Sequence, residues 1–282
     1  MKHSNQRRIL LTGATGFVGR QILKALLEED CLIQCIVRPG QEVDLPKSPK
    51  IRPPIFTEDL FQESVCWWKN VFQGIDTIVH VAWYAEPGKY QLSMKNLDCL
   101  AGTLHLAQAA AEVSVRRFVG VGTCFEYQHS SATLSVESPL GPTSPYAAAK
   151  VSTYLTLSNC LPMHGVEFAW CRLFYLYGVG EDSRRLVPSI RNALSHGQEV
   201  ALTSGTQVRD FLDVQEAGKR IAKVVMGSHA GPVNICSGEP VTVRELAESI
   251  ADVYGRRDLL KFGARAENPV DPAFVVGIPS IL

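Results

Sequence analysis

The stretch Arg8 to Arg20, RILLTGATGFVGR, decides the fold of this chain. Its short apolar run, Ile9 to Leu11, predicts a buried strand, and three glycines follow at a regular spacing of three residues. Apolar residues then recur at the spacing of a helix that packs on a sheet. Strand, glycine turn and helix in this order are typical of a site where a helix N-terminus binds a pyrophosphate.

Each of the three glycines has its own purpose in such a turn. Gly13 permits the sharp turn out of the strand, Gly16 lets the backbone approach a pyrophosphate, and Gly19 lets the helix pack close to the sheet. Three glycines alone would not distinguish this turn from an ordinary one. Its position near the N-terminus and both of its flanks favour a dinucleotide cofactor.

The composition of the chain excludes several classes of protein. The chain has 282 residues, of which 46% are hydrophobic, so it can bury a large core. Its 28 Lys and Arg balance 28 Asp and Glu, and this zero net charge argues against a nucleic-acid partner. It has no secretory leader pattern and no apolar run of about 18 residues, so we expect no membrane association. Eight scattered cysteines without a C-x-x-C pair predict buried thiols in the cytoplasm and no metal site.

Strand-like and helix-like segments alternate as far as residue 173. After the first strand and helix, strands are predicted over 31–37, 55–60, 76–82, 117–122 and 166–173, and helices over 62–72, 89–113 and 145–161. This alternation predicts an α/β fold with a doubly wound parallel sheet.

The pattern changes in the second part of the chain. Helices are predicted over 183–196, 214–226 and 242–254, short strand-like pieces over 198–212, one more strand over 232–236, and no clear period over 261–282. We therefore expect a dinucleotide-binding domain over 1–173 that also receives the strand at 232–236. Residues 174–282 are expected to form a smaller, interleaved region that mainly binds substrate.

Tyr146 and Lys150 are the first candidates for catalysis. Ser144 is a good N-cap and Pro145 suits the first helical position, so the two candidates, four residues apart, share one helix face. A free tyrosine has a pKa of about 10, which a nearby ammonium would lower. Tyr146 could then exchange a proton with a hydroxyl or carbonyl group as hydride moves at carbon, and Lys150 could also hold the nicotinamide ribose. A chance pair on a surface helix is the alternative.

Thr123 is the third candidate, because it follows the predicted strand at 117–122. That position lies at the carboxyl edge, where open α/β sheets bind ligands. Its hydroxyl could hydrogen-bond the reacting oxygen, or it could be satisfied by the local backbone.

Seven stretches together resemble the extended short-chain dehydrogenase/reductase family, in its NAD-dependent epimerase/dehydratase branch that acts on sugar nucleotides. The resemblance covers residues 8 to about 250 and implies a Rossmann fold. The stretches are TGATGFVG (12–19), DTIVHVAW (76–83), GTCFEY (122–127), SPYAAAK (144–150), RLFYLYGVG (172–180), RDFLDVQEAG (from Arg209) and NICSGEPVTVRELA (234–247).

The resemblance implies a role for each matching position. The glycine turn would hold the pyrophosphate, Asp59 and Leu60 would lie along the adenine, and the stretch after the fourth strand would follow the ribose and nicotinamide. The implied cofactor-binding residues are Gly13, Thr15, Gly16, Phe17, Val18, Gly19, Arg38, Asp59, Leu60, His80, Val81, Ala82, Tyr146 and Lys150. Thr123, Tyr146 and Lys150 would form the catalytic set. The implied substrate-binding residues are Thr123, Cys124, Tyr175 and Arg209, the last reaching the substrate diphosphate.

The chain also departs from the family pattern. Tyr175 stands where relatives often have an Asn that contacts the diphosphate, and Gln128 stands where they usually have Gly. The spacing from Asn96 to Thr103 is longer than usual, which argues against a cofactor role for Asn96. Relatives often dimerise through two helices, here 89–113 and 145–161, so a homodimer is expected.

Arg38 favours NADP(H) as the cofactor, with NAD(H) as the alternative. It ends the second strand, and no acidic residue lies in 31–40 to bind a ribose 2′-hydroxyl. An arginine there can pair with a 2′-phosphate instead.

The two residues after Thr123 restrict which reaction of the family the chain is expected to catalyse. Sugar dehydratases of the family have Asp and Glu there, whereas this chain has Cys124 and Phe125. Epimerase-reductases acting at carbons 3 and 5 have Cys at the position of Phe125. Simple hydride chemistry at carbon 4 remains, and Arg38 favours a 4-keto sugar-nucleotide reductase. The alternatives are a 4-epimerase with tightly bound NAD, a reductase of a non-nucleotide ketone, and a non-catalytic NADP-binding sensor.

Overall fold

A seven-stranded parallel sheet forms the centre of the molecule. The structure, a computed structural model, describes residues 6–267 and 271–282. The strand order is β10-β6-β5-β4-β1-β2-β3, and every neighbouring pair is parallel. The strands are β1 (Arg7–Thr12), β2 (Cys31–Val37), β3 (Ile55–Phe56), β4 (Thr77–His80), β5 (Arg117–Thr123), β6 (Glu167–Leu173) and β10 (Gly231–Ile235). The predicted doubly wound α/β sheet is confirmed.

Helices cover both faces of this sheet. One face packs against α1 (Phe17–Leu26) and α6 (Val214–Met226), through side chains such as Ile22 and Ile221. The other packs against α2 (Val65–Val71), α3 (Lys95–Glu112) and α4 (Pro145–Met163). Strands buried on both faces explain the nearly continuous apolar runs in the sequence.

A smaller region follows β6 and is interleaved with the main sheet. Its centre is β9 (Val208–Asp213), which pairs antiparallel with β11 (Pro240–Thr242) and parallel with β7 (Tyr175–Tyr177) and β13 (Phe274–Val275). Beside it, β8 (Val200–Leu202) pairs with β12 (Leu260–Phe262), and α5 (Leu186–Ser195) packs on α7 (Val243–Tyr254). The chain returns to the main sheet through α6 and β10.

Several predicted boundaries are wrong, because polar side chains end the elements early. The third strand stops at Phe56, since Asp59 accepts a hydrogen bond from Phe61 N and caps a short 3-10 turn. The helix predicted over 89–113 starts only at Lys95, after a separate turn at Tyr90–Leu92. The strands β12 and β13 lie in the part predicted to lack a period, of which residues 268–270 lie outside the described residues.

Hydrophobic helices of membrane-spanning length were also sought. Across the two described ranges, no helix combines the length and the apolar character needed to cross a bilayer.

Candidate active site

The glycine turn between β1 and α1 is tightly packed. Gly13 has a φ of +72°, and a Cβ atom there would lie 2.8 Å from Ala82 N. A Cβ atom on Gly19 would overlap the Gly13 carbonyl oxygen. Gly16 is the N-cap of α1 and no side chain caps this helix. The first N–H groups of α1 therefore suit a phosphate, and the glycines let the turn pack closely against Ala82 and α1.

His80 supports this turn from below. Both ring nitrogens are hydrogen-bonded, Nδ1 to Thr12 Oγ1 (2.9 Å) and Nε2 to Thr103 Oγ1 (3.0 Å). Thr103 donates to the Cys99 carbonyl, so its hydroxyl accepts from Nε2–H and leaves Nδ1 to accept from Thr12. Thr12 Oγ1 in turn accepts from the backbone N–H groups of the two residues after His80.

The implied cofactor contact of His80 stays a prediction, although the hydrogen bonds of its ring are made within the protein. The residue is 2% exposed and does not line the cleft described below. Burial, together with repulsion from Lys150, lowers the pKa of His80 to about 3 and keeps the ring neutral. His80 holds the backbone of Val81 and Ala82 against the glycine turn.

One cleft of about 830 Å³ runs from the glycine turn to the smaller region. It brings together most of the residues singled out in the sequence: Gly13, Gly16, Phe17, Val18, Gly19, Val81, Ala82, Thr123, Cys124, Tyr146, Lys150, Tyr175 and Arg209. These residues come from six separate parts of the chain, so their convergence is a property of the fold and not of sequence proximity.

Four further predicted cofactor residues lie outside the lining of the cleft. Arg38 follows β2 and Asp59 follows β3, so both are at the carboxyl edge of the sheet, and both are exposed. Leu60 is half-buried beside Asp59, and Thr15 donates a 3.4 Å hydrogen bond to Gln41 Oε1. Their position beside β1 leaves room for the adenosine end of a dinucleotide next to the glycine turn.

Lys150 does not act on Tyr146 as the spacing predicts. Its Nζ donates a 2.7 Å hydrogen bond to the Val121 carbonyl and lies 3.7 Å from the centroid of the Trp83 ring. Burial lowers the pKa of Lys150 to about 7. Burial also raises the pKa of Tyr146, while the nearby Thr123 side chain opposes this rise. The expected lowering of the Tyr146 pKa is therefore wrong, and the phenol stays protonated.

Thr123 ends β5 and is 6% exposed. Its Oγ1 accepts a hydrogen bond from Phe125 N at 3.3 Å. The alternative considered for Thr123, a hydroxyl satisfied by the local backbone, is therefore correct for this hydrogen bond. Thr123 and Tyr146 both line the cleft, so the end of β5 and the start of α4 meet there.

Glu126 is a buried carboxylate that the sequence reading missed. It is 0% exposed and accepts hydrogen bonds from Thr123 N (2.9 Å), Trp170 Nε1 (3.0 Å) and Arg172 Nε (2.7 Å). It thereby fixes the backbone of Thr123 from below. The signal was present, because T-C-F-E over 123–126 is a capping-box pattern, which the structure forms.

The far end of the cleft holds the predicted substrate residues. Arg209 is 2% exposed, its guanidinium lies 5.1 Å from the Tyr175 ring, and its Nη2 lies 2.8 Å from Asp271 Oδ2. The Tyr175 hydroxyl is buried without a hydrogen-bond partner among the described residues, and burial raises its pKa. Burial also raises the pKa of the Cys124 thiol to about 12. Asp271 was not found from the sequence, because nothing near it indicates a site.

A family model matches the chain. The description of this model is NAD dependent epimerase/dehydratase family, and the match covers residues 9–236.

Three known proteins illustrate the likeness. The dTDP-6-deoxy-L-talose 4-dehydrogenase (NAD(+)) of Aggregatibacter actinomycetemcomitans is 26% identical over 255 residues, which are 85% of this chain and 88% of the relative. The UDP-N-acetylglucosamine 4-epimerase of Methanobrevibacter ruminantium M1, solved with UDP-N-acetylmuramic acid, has a TM-score of 0.85 at 22% identity, covering 98% of this chain and 90% of that one. The dTDP-glucose 4,6-dehydratase DesIV of Streptomyces venezuelae, solved with NAD and TYD, has a TM-score of 0.82 at 23% identity, covering 96% and 88%. The two structural likenesses show the fold.

Proposed function

Because the chain belongs to the NAD dependent epimerase/dehydratase family, we propose that it is a nicotinamide-dependent oxidoreductase that reduces the 4-keto group of a nucleotide-activated sugar. One observation carries this proposal. A single cleft has the glycine turn at one end, Thr123, Tyr146 and Lys150 at its centre, and Arg209 at the other end. The glycine turn suits the cofactor's pyrophosphate, because it leads into the N-terminus of α1, where no side chain caps the first N–H groups.

The protein's own residues supply the proton and the orientation. The bound dinucleotide would supply the hydride for the carbonyl carbon. Tyr146 donates its proton to the carbonyl oxygen, which completes the alcohol, and it regains a proton from solvent. Burial raises the pKa of Tyr146, so the phenol carries the proton that it donates. Thr123, fixed by Glu126, orients the carbonyl oxygen.

The two residues after Thr123 favour hydride transfer at carbon 4 of the sugar over the elimination of water. Phe125 has no proton to give, and the Cys124 thiol, with a pKa of about 12, is neutral near pH 7. Neither residue is a carboxylate, whereas the sugar dehydratases that the sequence resembles have Asp and Glu at these two positions. The relative named as a 4-dehydrogenase is consistent with this choice. The second candidate is a 4-epimerase that recycles a tightly bound cofactor, as the name of one structural neighbour suggests.

The proposal also includes an NADP(H) preference, supported by Arg38. Its exposed guanidinium follows β2 at the carboxyl edge, next to the glycine turn. We expect Arg38→Asp to lower the ratio of kcat/KM for NADPH over NADH by about tenfold or more, because a charge pair to a 2′-phosphate is lost. Arg52→Asp is the matched control, since Arg52 is exposed and pairs near the start of β2. An unchanged ratio in Arg38→Asp would refute the NADP(H) preference that is argued from Arg38.

Turnover of 4-keto-6-deoxy sugar nucleotides tests the function itself. We expect the purified protein to oxidise NADPH only when such a ketone is present, and Tyr146→Phe to lower kcat by about 100-fold or more. Tyr154→Phe, two turns further along α4, should leave turnover intact. Dinucleotide released on denaturation, with sugar interconversion and no net oxidation, would favour the epimerase. Dinucleotide binding without turnover of any ketone would favour the sensor.

We further propose that two copies associate through α3 and α4. Leu97 on α3 and Leu155 on α4 are large apolar side chains that are 56% and 48% exposed. Burying them against a second copy removes apolar surface from water. Sedimentation should report a dimer that Leu155→Glu weakens, and a monomer in the unmodified protein would refute the association.

A further inference from the structure

Trp83 ends the DTIVHVAW stretch and lies against Lys150. The ring centroid is 3.7 Å from Lys150 Nζ, closer than the 5.6 Å between Nζ and the centroid of Trp170. Lys150 is 3% exposed, and its one hydrogen bond to the described protein runs to the Val121 carbonyl. A buried ammonium group with three N–H donors is therefore held between one carbonyl oxygen and one indole face.

The indole is fixed in this position. Trp83 Nε1 donates a 2.9 Å hydrogen bond to Asn96 Oδ1, and Asn96 is 1% exposed. The Asn96 amide in turn donates to the carbonyls of Tyr90 (2.6 Å) and Ser93 (2.9 Å). The Phe61 ring meets the indole edge-on at 6.3 Å. The indole could leave Lys150 only by breaking this hydrogen-bonded chain.

We propose that Trp83 is a positioning residue, whose indole face and the Val121 carbonyl together hold the Lys150 ammonium in place. This leaves one N–H of Lys150 for the cleft that both residues line, where the cofactor's ribose would lie. Asn96, for which no cofactor role is expected from its spacing, acts through Trp83. This role rests on the proposed oxidoreductase function.

The charge of Lys150 depends on few groups besides Trp83. Glu126 and Cys99 face it and raise its pKa, His80 is neutral, and Tyr146 on the same helix is protonated. Burial outweighs these effects and brings the pKa of Lys150 to about 7. The charged fraction near pH 7 therefore responds to small changes in what stabilises the cation. A leucine at position 83 would keep the surroundings apolar and remove the π face, so it should favour the neutral amine.

The titration of Lys150 in the protein alone tests the proposal. Lysine labelled with ¹³C at Cε gives one signal for each lysine, and the spectrum of Lys150→Arg identifies the signal of Lys150. We expect its midpoint to be lower by about one pH unit in Trp83→Leu, and by less in Trp83→Phe, which keeps an aromatic face. Trp67→Leu, which changes a half-buried tryptophan on α2, should leave the midpoint unchanged.

The outcomes separate this proposal from the proposed function. An equal or higher midpoint in Trp83→Leu would overturn the role of Trp83, whatever the protein catalyses. If Trp83→Leu does not fold, Trp83→Phe decides, and its midpoint must then lie below that of the unmodified protein. A lowered midpoint in a protein that reduces no ketone would leave the contact in place and refute the oxidoreductase.

Discussion

Among single residues, His80 connects three elements by side-chain hydrogen bonds alone. Its bonds run from Thr103 on α3, through the ring on β4, to Thr12 on β1. Because Nδ1 can accept the bond from Thr12 only when it is unprotonated, the site excludes the proton that an unfolded histidine takes up below its ordinary pKa. Folding stability and pH are therefore linked at this residue.

We expect His80 to make the protein less stable as the pH falls from about 6.5 toward 3. In that window His80 is protonated in the unfolded state but stays neutral in the folded state, because burial lowers its pKa to about 3 there. Because of His80, the free energy of unfolding should fall by about 1.4 kcal/mol for each pH unit in this window. Above about pH 6.5 His80 should not change the stability with pH, because the ring is neutral in both states. Urea unfolding of the unmodified protein and of His80→Gln, between pH 7 and 5, measures the difference in slope.

His105→Gln is the control for this experiment. His105 lies on the exposed face of α3, so its removal should leave the slope as it is. A slope that is equal in the unmodified protein and in His80→Gln would show that His80 does not exclude the proton.

Single residues also show how far the sequence could predict the site. Gly13, Tyr146 and Lys150 could be found because each stands in a local pattern whose physical purpose is known. Asp271 could not, because its partner Arg209 is far away in sequence and only the strand pair β9–β13 brings them together. The pKa of Tyr146 was misjudged for a similar reason, since spacing gives a helix face but not the burial that dominates the pKa.

Among the elements, α4 carries two catalytic candidates near its N-terminus. Ser144 Oγ accepts a 3.2 Å hydrogen bond from Ala147 N, and Pro145 occupies the first turn. Tyr146 lies within that turn, and Lys150 follows one turn later. A helix end that frays would therefore move the reacting groups directly.

We expect Ser144→Ala to cost about 1 kcal/mol of stability and to lower turnover by up to about fivefold. Ser64→Ala is the matched control, because Ser64 caps α2 with a hydrogen bond of the same length, 3.2 Å, away from the cleft. It should cost a similar free energy without affecting turnover. Denaturant unfolding and steady-state kinetics on both variants measure the two quantities. An equal loss of turnover in both would contradict the view that the cap of α4 acts through Tyr146 and Lys150.

The elements of the main sheet could be predicted well, and their ends less well. The buried strands β1, β2, β5 and β6 stand out as apolar runs, since both sheet faces are covered by helices. The start of α3 was placed too early, because the Asn96 amide bonds the carbonyls of Tyr90 and Ser93 and holds a separate turn. That bond depends on the conformation of the turn, which the periodicity of apolar residues does not encode.

In the whole molecule, α6 connects the smaller region to the cofactor side of the main sheet. It begins directly after β9 and packs along α1, the helix that follows the glycine turn. The contact is close at Gly218, where a Cβ atom would lie 2.7 Å from the Gln21 carbonyl carbon. The helix α1, whose N-terminus we propose binds the phosphates, is thereby supported by the helix that directly follows β9 of the smaller region.

In Gly218→Ala, the close packing of α6 on α1 and the helix propensity of alanine change the stability in opposite directions. Alanine is about 1 kcal/mol better than glycine inside a helix, so propensity alone would stabilise the variant. We expect the opposite, a loss of about 1–3 kcal/mol in the free energy of unfolding, because backbone atoms of α1 must move to admit the methyl group. Since that movement displaces the N-terminus of α1, dinucleotide affinity should fall as well. Lys219→Ala, on the exposed side of the same helix, should change both quantities little. A Gly218→Ala protein that is more stable and binds dinucleotide equally well would mean that α1 and α6 adjust independently, and the two halves of the cleft would then not be coupled through them.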